Sequence, residues 1–124
     1  MKNLDNIRLV NLTPHEIVVF DAKSDSVALR VPPSGVVARV STKEVQVGTI
    51  NGVPLLKTEY GDVENLPGPQ ENTIYIVSAI VLQALQSKGI HRNDVVAPNT
   101  GPSPLGAVRD SQGRIQGVRS FIVL

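Results

Sequence analysis

Twelve residues, Pro98-Asn99-Thr100-Gly101-Pro102-Ser103-Pro104-Leu105-Gly106-Ala107-Val108-Arg109, hold three of the nine prolines and two of the ten glycines of this chain. They lack apolar periodicity, so they form neither a helix nor a core strand. Proline stiffens the path and removes donors, and glycine lets a backbone approach a ligand closely. The hydroxyls of Thr100 and Ser103, the N–H groups of Thr100, Gly101 and Ser103, and the Arg109 guanidinium are the chemistry of an anion cradle, with Asn99 at its entrance. No GK[ST] follows the glycines, which excludes a Walker loop, and the spacing is not a dinucleotide fingerprint. The bland alternative is a rigid connection between strands.

Three other polar groups compete with this loop. In Thr13-Pro14-His15-Glu16, a corner projects a histidine suited to donating to a ligand or acting as a general base; the alternative is a corner that bonds its own backbone. Tyr60-Gly61-Asp62, with Glu64 and Asn65, offers a ring to stack on a base and oxygens for ribose hydroxyls; the alternative is a solvated acidic loop. His91-Arg92-Asn93-Asp94 reads as a helix exit, its bases facing the C-terminal dipole. Catalytic constellations are thin. A zinc site needs three or four ligands, and the chain has two histidines and no cysteine. Ser78 stands between a strand and a helix without the glycines of a nucleophile elbow, and reads as a cap. No catalytic residue, metal ligand or cofactor is therefore assigned. A metal-assisted phosphodiesterase remains the enzymatic alternative.

The elements that must place these groups are mostly strands. β character runs through 7–12, 17–21, 27–31, 36–41, 45–50 and 53–60, with Asn51-Gly52 as a two-residue hairpin turn. A second long loop is expected over 61–72, then a buried strand at 73–77. One helix is expected over 79–88, apolar on nearly every side, capped by Ser78 and ended by Gly89. A strand at 94–97 leads into the proline loop, and 107–109 with 114–124 makes a closing hairpin. The expected fold is α+β: mainly antiparallel β, about eight to ten short strands in a sandwich or partly open barrel, with one buried helix near residues 79–88.

The 124 residues suit a single domain, 1–124, able to bury a core without metal or disulfide. Absence of cysteine excludes disulfides, thiolate sites and iron–sulfur clusters. No apolar run reaches membrane-spanning length, and the opening residues lack a signal-peptide core, so a cytoplasmic protein is expected. Net charge is +1, split as −2 over residues 1–72 and +3 over 73–124. Neither that balance nor the four aromatics, Phe20, Tyr60, Tyr75 and Phe121, suits binding of a long nucleic acid.

The segments Asn11-Leu12-Thr13-Pro14-His15-Glu16-Ile17, Tyr60-Gly61, Leu66-Pro67, Tyr75-Ile76-Val77-Ser78-Ala79, Thr100-Gly101-Pro102, Gly106-Ala107-Val108-Arg109 and Gly117-Val118-Arg119 resemble a family of small proteins of tailed-phage genomes and some bacterial chromosomes. A phage setting implies, by class analogy, an oligomeric protein that sequesters a nucleotide immune signal in the host cytoplasm, such as a cyclic ADP-ribose isomer or a cyclic dinucleotide. On that analogy Asn99, Thr100, Gly101, Ser103 and Arg109 would hold the diphosphate. Tyr60 would stack on adenine, Asp62, Glu64 or Asn65 would read hydroxyls or the base edge, and Thr13 and His15 would complete the site. The apolar helix would offer a subunit contact. The competitors are an enzyme that cleaves such a signal and a structural or assembly protein of the virion.

Overall fold

The computed structural model describes residues 6–124. Among them ten strands and one helix follow in the order β1 (Arg8–Asn11), β2 (Ile17–Phe20), β3 (Val27–Val31), β4 (Arg39–Ile50), β5 (Val53–Glu64), β6 (Thr73–Ile76), α1 (Ala79–Ser87), β7 (Val95–Pro98), β8 (Ala107–Arg109), β9 (Ile115–Val118) and β10 (Phe121–Val123). The α+β, mainly β expectation holds. The strands form three sheets, ordered β1-β6-β7-β10, β3-β2-β9-β8 and β4-β5, and none closes into a barrel. Among the described residues no helix is long and apolar enough to cross a membrane.

The pairing is more mixed than the hairpin signals imply. Four pairings are antiparallel and three are parallel: β1–β6, β6–β7 and β2–β9. Parallel neighbours need a crossover, and α1 supplies it between β6 and β7. Strand β6 occupies the middle of the first sheet and buries both faces, which is why Thr73-Ile74-Tyr75-Ile76-Val77 is almost continuously apolar. Tyr75 and Val77 pack with Val81, Leu82 and Leu85 of the helix, with Leu12, Val95 and Ala97 in the same cluster. Ile76 turns the other way, onto Val31 and Val96, with Ile17 and Phe121 packed behind. The first sheet is thus the central layer, with the helix on one face and the second sheet on the other.

The helix is one-sided. Val81, Leu82, Ala84 and Leu85 are buried, while Ile80 is 45% exposed and Gln83 and Gln86 face solvent. This corrects the all-round apolar reading. Ser78 occupies the N-cap position in extended geometry, but its side chain makes no capping bond. Gly89 ends the helix at φ +69°, where its N–H donates to the Gln86 carbonyl at 3.1 Å.

Residues 39–50 form one strand instead of two. Thr42-Lys43-Glu44, the expected break between 36–41 and 45–50, is exposed and pairs across to β5. The turn at Asn51 (φ 49°) and Gly52 (φ 82°) has the positive angles that a type I′ hairpin requires. Twelve residues per strand make an arm about 40 Å long. The expected loop at 61–72 begins late, because Gly61-Asp62-Val63-Glu64 completes β5. The closing hairpin is also shorter than expected: β9 pairs with β8, and then β10 leaves for the edge of the first sheet beside β7. At that switch the Arg119 guanidinium reaches the β2–β3 turn and donates to the carbonyls of Asp21 and Ser24.

Arg92 and Asp94 fasten the helix exit to the loop before β6. The guanidinium donates to both carboxylate oxygens, at 2.7 and 2.8 Å, and to the Pro67 carbonyl at 2.9 Å. This ion pair, more than a dipole contact, explains the His91–Asp94 polar group. The Arg92 hydrogen bonds hold the Asp94 carboxyl below its ordinary value, against the opposing effect of burial. The unfolded chain therefore binds this proton more readily than the folded one. The pair's contribution is complete above the unfolded carboxylate value and is lost as pH falls through the lower folded value. Denaturant midpoints measured from pH 6 down to pH 2 show this acid limb, and Asp94→Asn flattens it; equal slopes in the two proteins would refute the assignment.

Candidate functional site

The corner before β2 is built by Asn11, which is 1% exposed. Its Nδ2 donates to the carbonyls of His15 (2.8 Å) and Val31 (3.0 Å). Its Oδ1 accepts from the Thr13 N–H at 2.9 Å and the Thr13 hydroxyl at 2.7 Å. The Thr13 hydroxyl is therefore spent on the corner, and Thr13 is buried. His15 emerges exposed in the bend just before β2.

The proline loop also folds on itself. Asn99 accepts the Gly101 N–H on Oδ1 at 3.1 Å, and its Nδ2 donates to the Ser120 hydroxyl and the Leu105 carbonyl. Gly106 donates to the Ser103 carbonyl at 2.9 Å, and Ala107 donates to the Gly101 carbonyl at 3.0 Å. Gly106 has to be glycine, because a Cβ there would lie 1.9 Å from the Gly101 oxygen. The Gly101 N–H expected to be free is thus engaged, whereas Thr100 and Ser103 stay exposed. Arg109 does not join them. Its guanidinium donates to the Gly113 carbonyl at 2.6 Å and closes the β8–β9 turn.

Two clefts flank the loop and share Pro98 and Thr100. The first, about 340 Å³, lies between His15-Glu16 at the head of β2 and Ile115–Val118 of β9. It brings His15 and Thr100, from distant parts of the chain, to one surface. The second, about 420 Å³, lies between the exposed side of α1 and β10, with Asn99, Thr100 and Gly101 at one end. No Asp, Glu, Lys or Arg lines this second cleft; Gln83 and Gln86 provide its polar side. In the first, Glu16 is tied to Arg30 at 3.1 Å. These volumes suit small molecules.

The acidic candidates lie elsewhere. Tyr60 borders a hollow of about 300 Å³ at the base of the arm, with Ser41, Thr42, Lys43, Glu59 and Gly61. Asp62 stands 3.7 Å from Lys88 beyond the end of the helix. Asn65 takes φ 64° and donates to the Val37 carbonyl at 3.1 Å, so it is a turn residue. Sequence reasoning missed Gln83, Gln86 and Gln116. The first two carry a legible signal, as polar positions three apart on an otherwise apolar helix. Gln116 carries none. Among the described residues no three His, Asp or Glu side chains gather closely enough to share a metal ion. Comparison with protein-family models, curated proteins and solved structures finds no match to this chain.

Proposed function

We propose that the protein binds a small nucleotide-derived ligand in the two clefts around Pro98–Thr100 and retains it without cleaving it, as a phage protein that sequesters an immune signal in the host cytoplasm would. The observation that carries this reading is the convergence of His15 and Thr100 on one cleft, with Thr100 continuing into the next. The amides of Gln83, Gln86 and Gln116 match base edges and ribose hydroxyls, and the His15 ring can donate to a phosphate oxygen. Arg109 leaves the assignment, since its guanidinium is committed to the Gly113 carbonyl. Tyr60, Asp62 and Asn65 leave it with their separate positions. Retention is favoured over hydrolysis because the one acid beside His15 in these clefts, Glu16, is paired with Arg30, and among the described residues no metal-ligand group forms.

The test is extraction and mass analysis of the purified protein after exposure to cyclic ADP-ribose isomers and cyclic dinucleotides, with thermal shifts alongside. Intact ligand is expected, and His15→Ala and Thr100→Val each weaken binding about tenfold, the value of one lost ligand hydrogen bond. Recovery of altered ligand makes the protein an enzyme. Binding of nothing in the panel overturns the reading in favour of a virion assembly protein, which one observation favours: the arm exposes Val47, Ile50, Val53 and Leu56, each more than half accessible.

A further inference from the structure

The β4–β5 arm is a two-stranded sheet, and among the described residues no third strand pairs with either edge. A two-stranded ribbon is marginal by itself in water, and an open edge invites another strand. The two edges are not equivalent. Strand β4 carries an unpaired extra residue at Val47, where the register slips between Gln46 and Gly48. Over the same span every residue of β5 from Val53 to Tyr60 has a partner on β4, so the extra residue lies on β4 alone and the alternation of β5 is unbroken. Ile50 and Val53 close the turn as a hydrogen-bonded pair. Alternation from that pair turns the main-chain groups of Leu56, Thr58 and Tyr60 toward the open edge. Pro54 falls on the same outward set, where its missing N–H costs the hairpin nothing.

The outward segment, Leu56-Lys57-Thr58-Glu59-Tyr60, is complementary to itself when reversed. About a two-fold axis at Thr58, Lys57 faces the Glu59 of a second copy and Glu59 faces its Lys57. Thr58 meets Thr58, and Leu56 meets Tyr60. Each is a favourable cross-strand pair, and the two ion pairs fall in the closer, non-hydrogen-bonded positions. One residue of slip in either direction would bring unlike strand faces together, and two would break both ion pairs. Among the described residues neither Lys57 nor Glu59 enters an ion pair within the chain, and both are exposed.

We propose that the protein forms a two-fold dimer by antiparallel pairing of β5 with β5 of a second copy, centred on Thr58, which joins two arms into one four-stranded ribbon. This surface is separate from the clefts around Thr100, so the dimer stands or falls independently of ligand binding.

Sedimentation velocity over a dilution series reads the dimer, and charge exchange reads the register. Lys57→Glu and Glu59→Lys each place like charges opposite one another twice and weaken the dimer about tenfold or more. The double variant Lys57→Glu/Glu59→Lys restores both pairs and the dimer. Because the chain has no cysteine, Thr58→Cys introduces a single thiol, which cross-links two copies across the axis under mild oxidation, while Thr49→Cys does not. A monomer at every concentration overturns the proposal. So does a dimer indifferent to both single exchanges, or one that the double exchange fails to restore.

Discussion

Asn11→Ala is expected to lower the folding free energy by about 3–4 kcal/mol. The substitution removes one side chain but unmakes four hydrogen bonds, three of them fully buried. A buried polar group left unpaired costs about 1–3 kcal/mol, and the Thr13 N–H and the Val31 carbonyl lose a partner together. The corner also ties three elements: the end of β1, the turn carrying His15, and the end of β3. Thr13→Val is the measured contrast. It deletes the hydroxyl while leaving Asn11 bonded to the Thr13 N–H and the Val31 carbonyl, so it costs only about 1–2 kcal/mol. Urea denaturation of the three proteins decides the matter. A loss below about 1 kcal/mol for Asn11→Ala would mean that the network does not hold the corner.

Gly106→Ala is expected to cost about 3 kcal/mol and to abolish the ligand binding proposed for the Thr100 clefts. Its new methyl would meet backbone, with the Gly101 carbonyl carbon at 2.8 Å and the Ser103 oxygen at 3.1 Å in addition to the Gly101 oxygen. Main chain cannot rotate away as a side-chain tip can, so the loop must open. Opening releases the Gly106–Ser103 and Ala107–Gly101 hydrogen bonds, each worth about 1 kcal/mol, and strain adds to that. Gly113→Ala separates close contact from backbone conformation. Gly113 has φ +81° and nothing within 4 Å of an added Cβ, so its cost is the left-handed penalty of about 1 kcal/mol. Equal losses at the two glycines would remove the close approach as the reason for Gly106.

Local chemistry is legible in the sequence where it acts over a few residues. Asn51-Gly52, Gly89 and the span of β3 follow from turn geometry and alternation, which nothing distant can change cheaply. The reading failed where partners lie far apart. Thr42-Lys43-Glu44 looked like a gap because polar residues on an arm exposed on both faces carry no apolar period. Asn11 falls inside the strand-like run 7–12 with nothing to mark it, since a buried asparagine is recognisable only by the Val31 carbonyl it meets twenty residues later. Arg109 looked like an anion ligand by its place after the glycines, but the nearer carbonyl of Gly113 claims it.

The sequence by itself determined a β-rich chain with one helix, tight turns at its glycines, and a stiff polar loop at 98–106, because dihedral preference and hydrophobic period are local properties. Tertiary structure decided which strands lie side by side, that β6 and β7 run parallel across α1, and that His15 rather than Tyr60 or Arg109 stands beside Thr100. Those outcomes depend on burying β6 from both faces at once. That burial is a property of the packed layers, and no short stretch of the chain contains it.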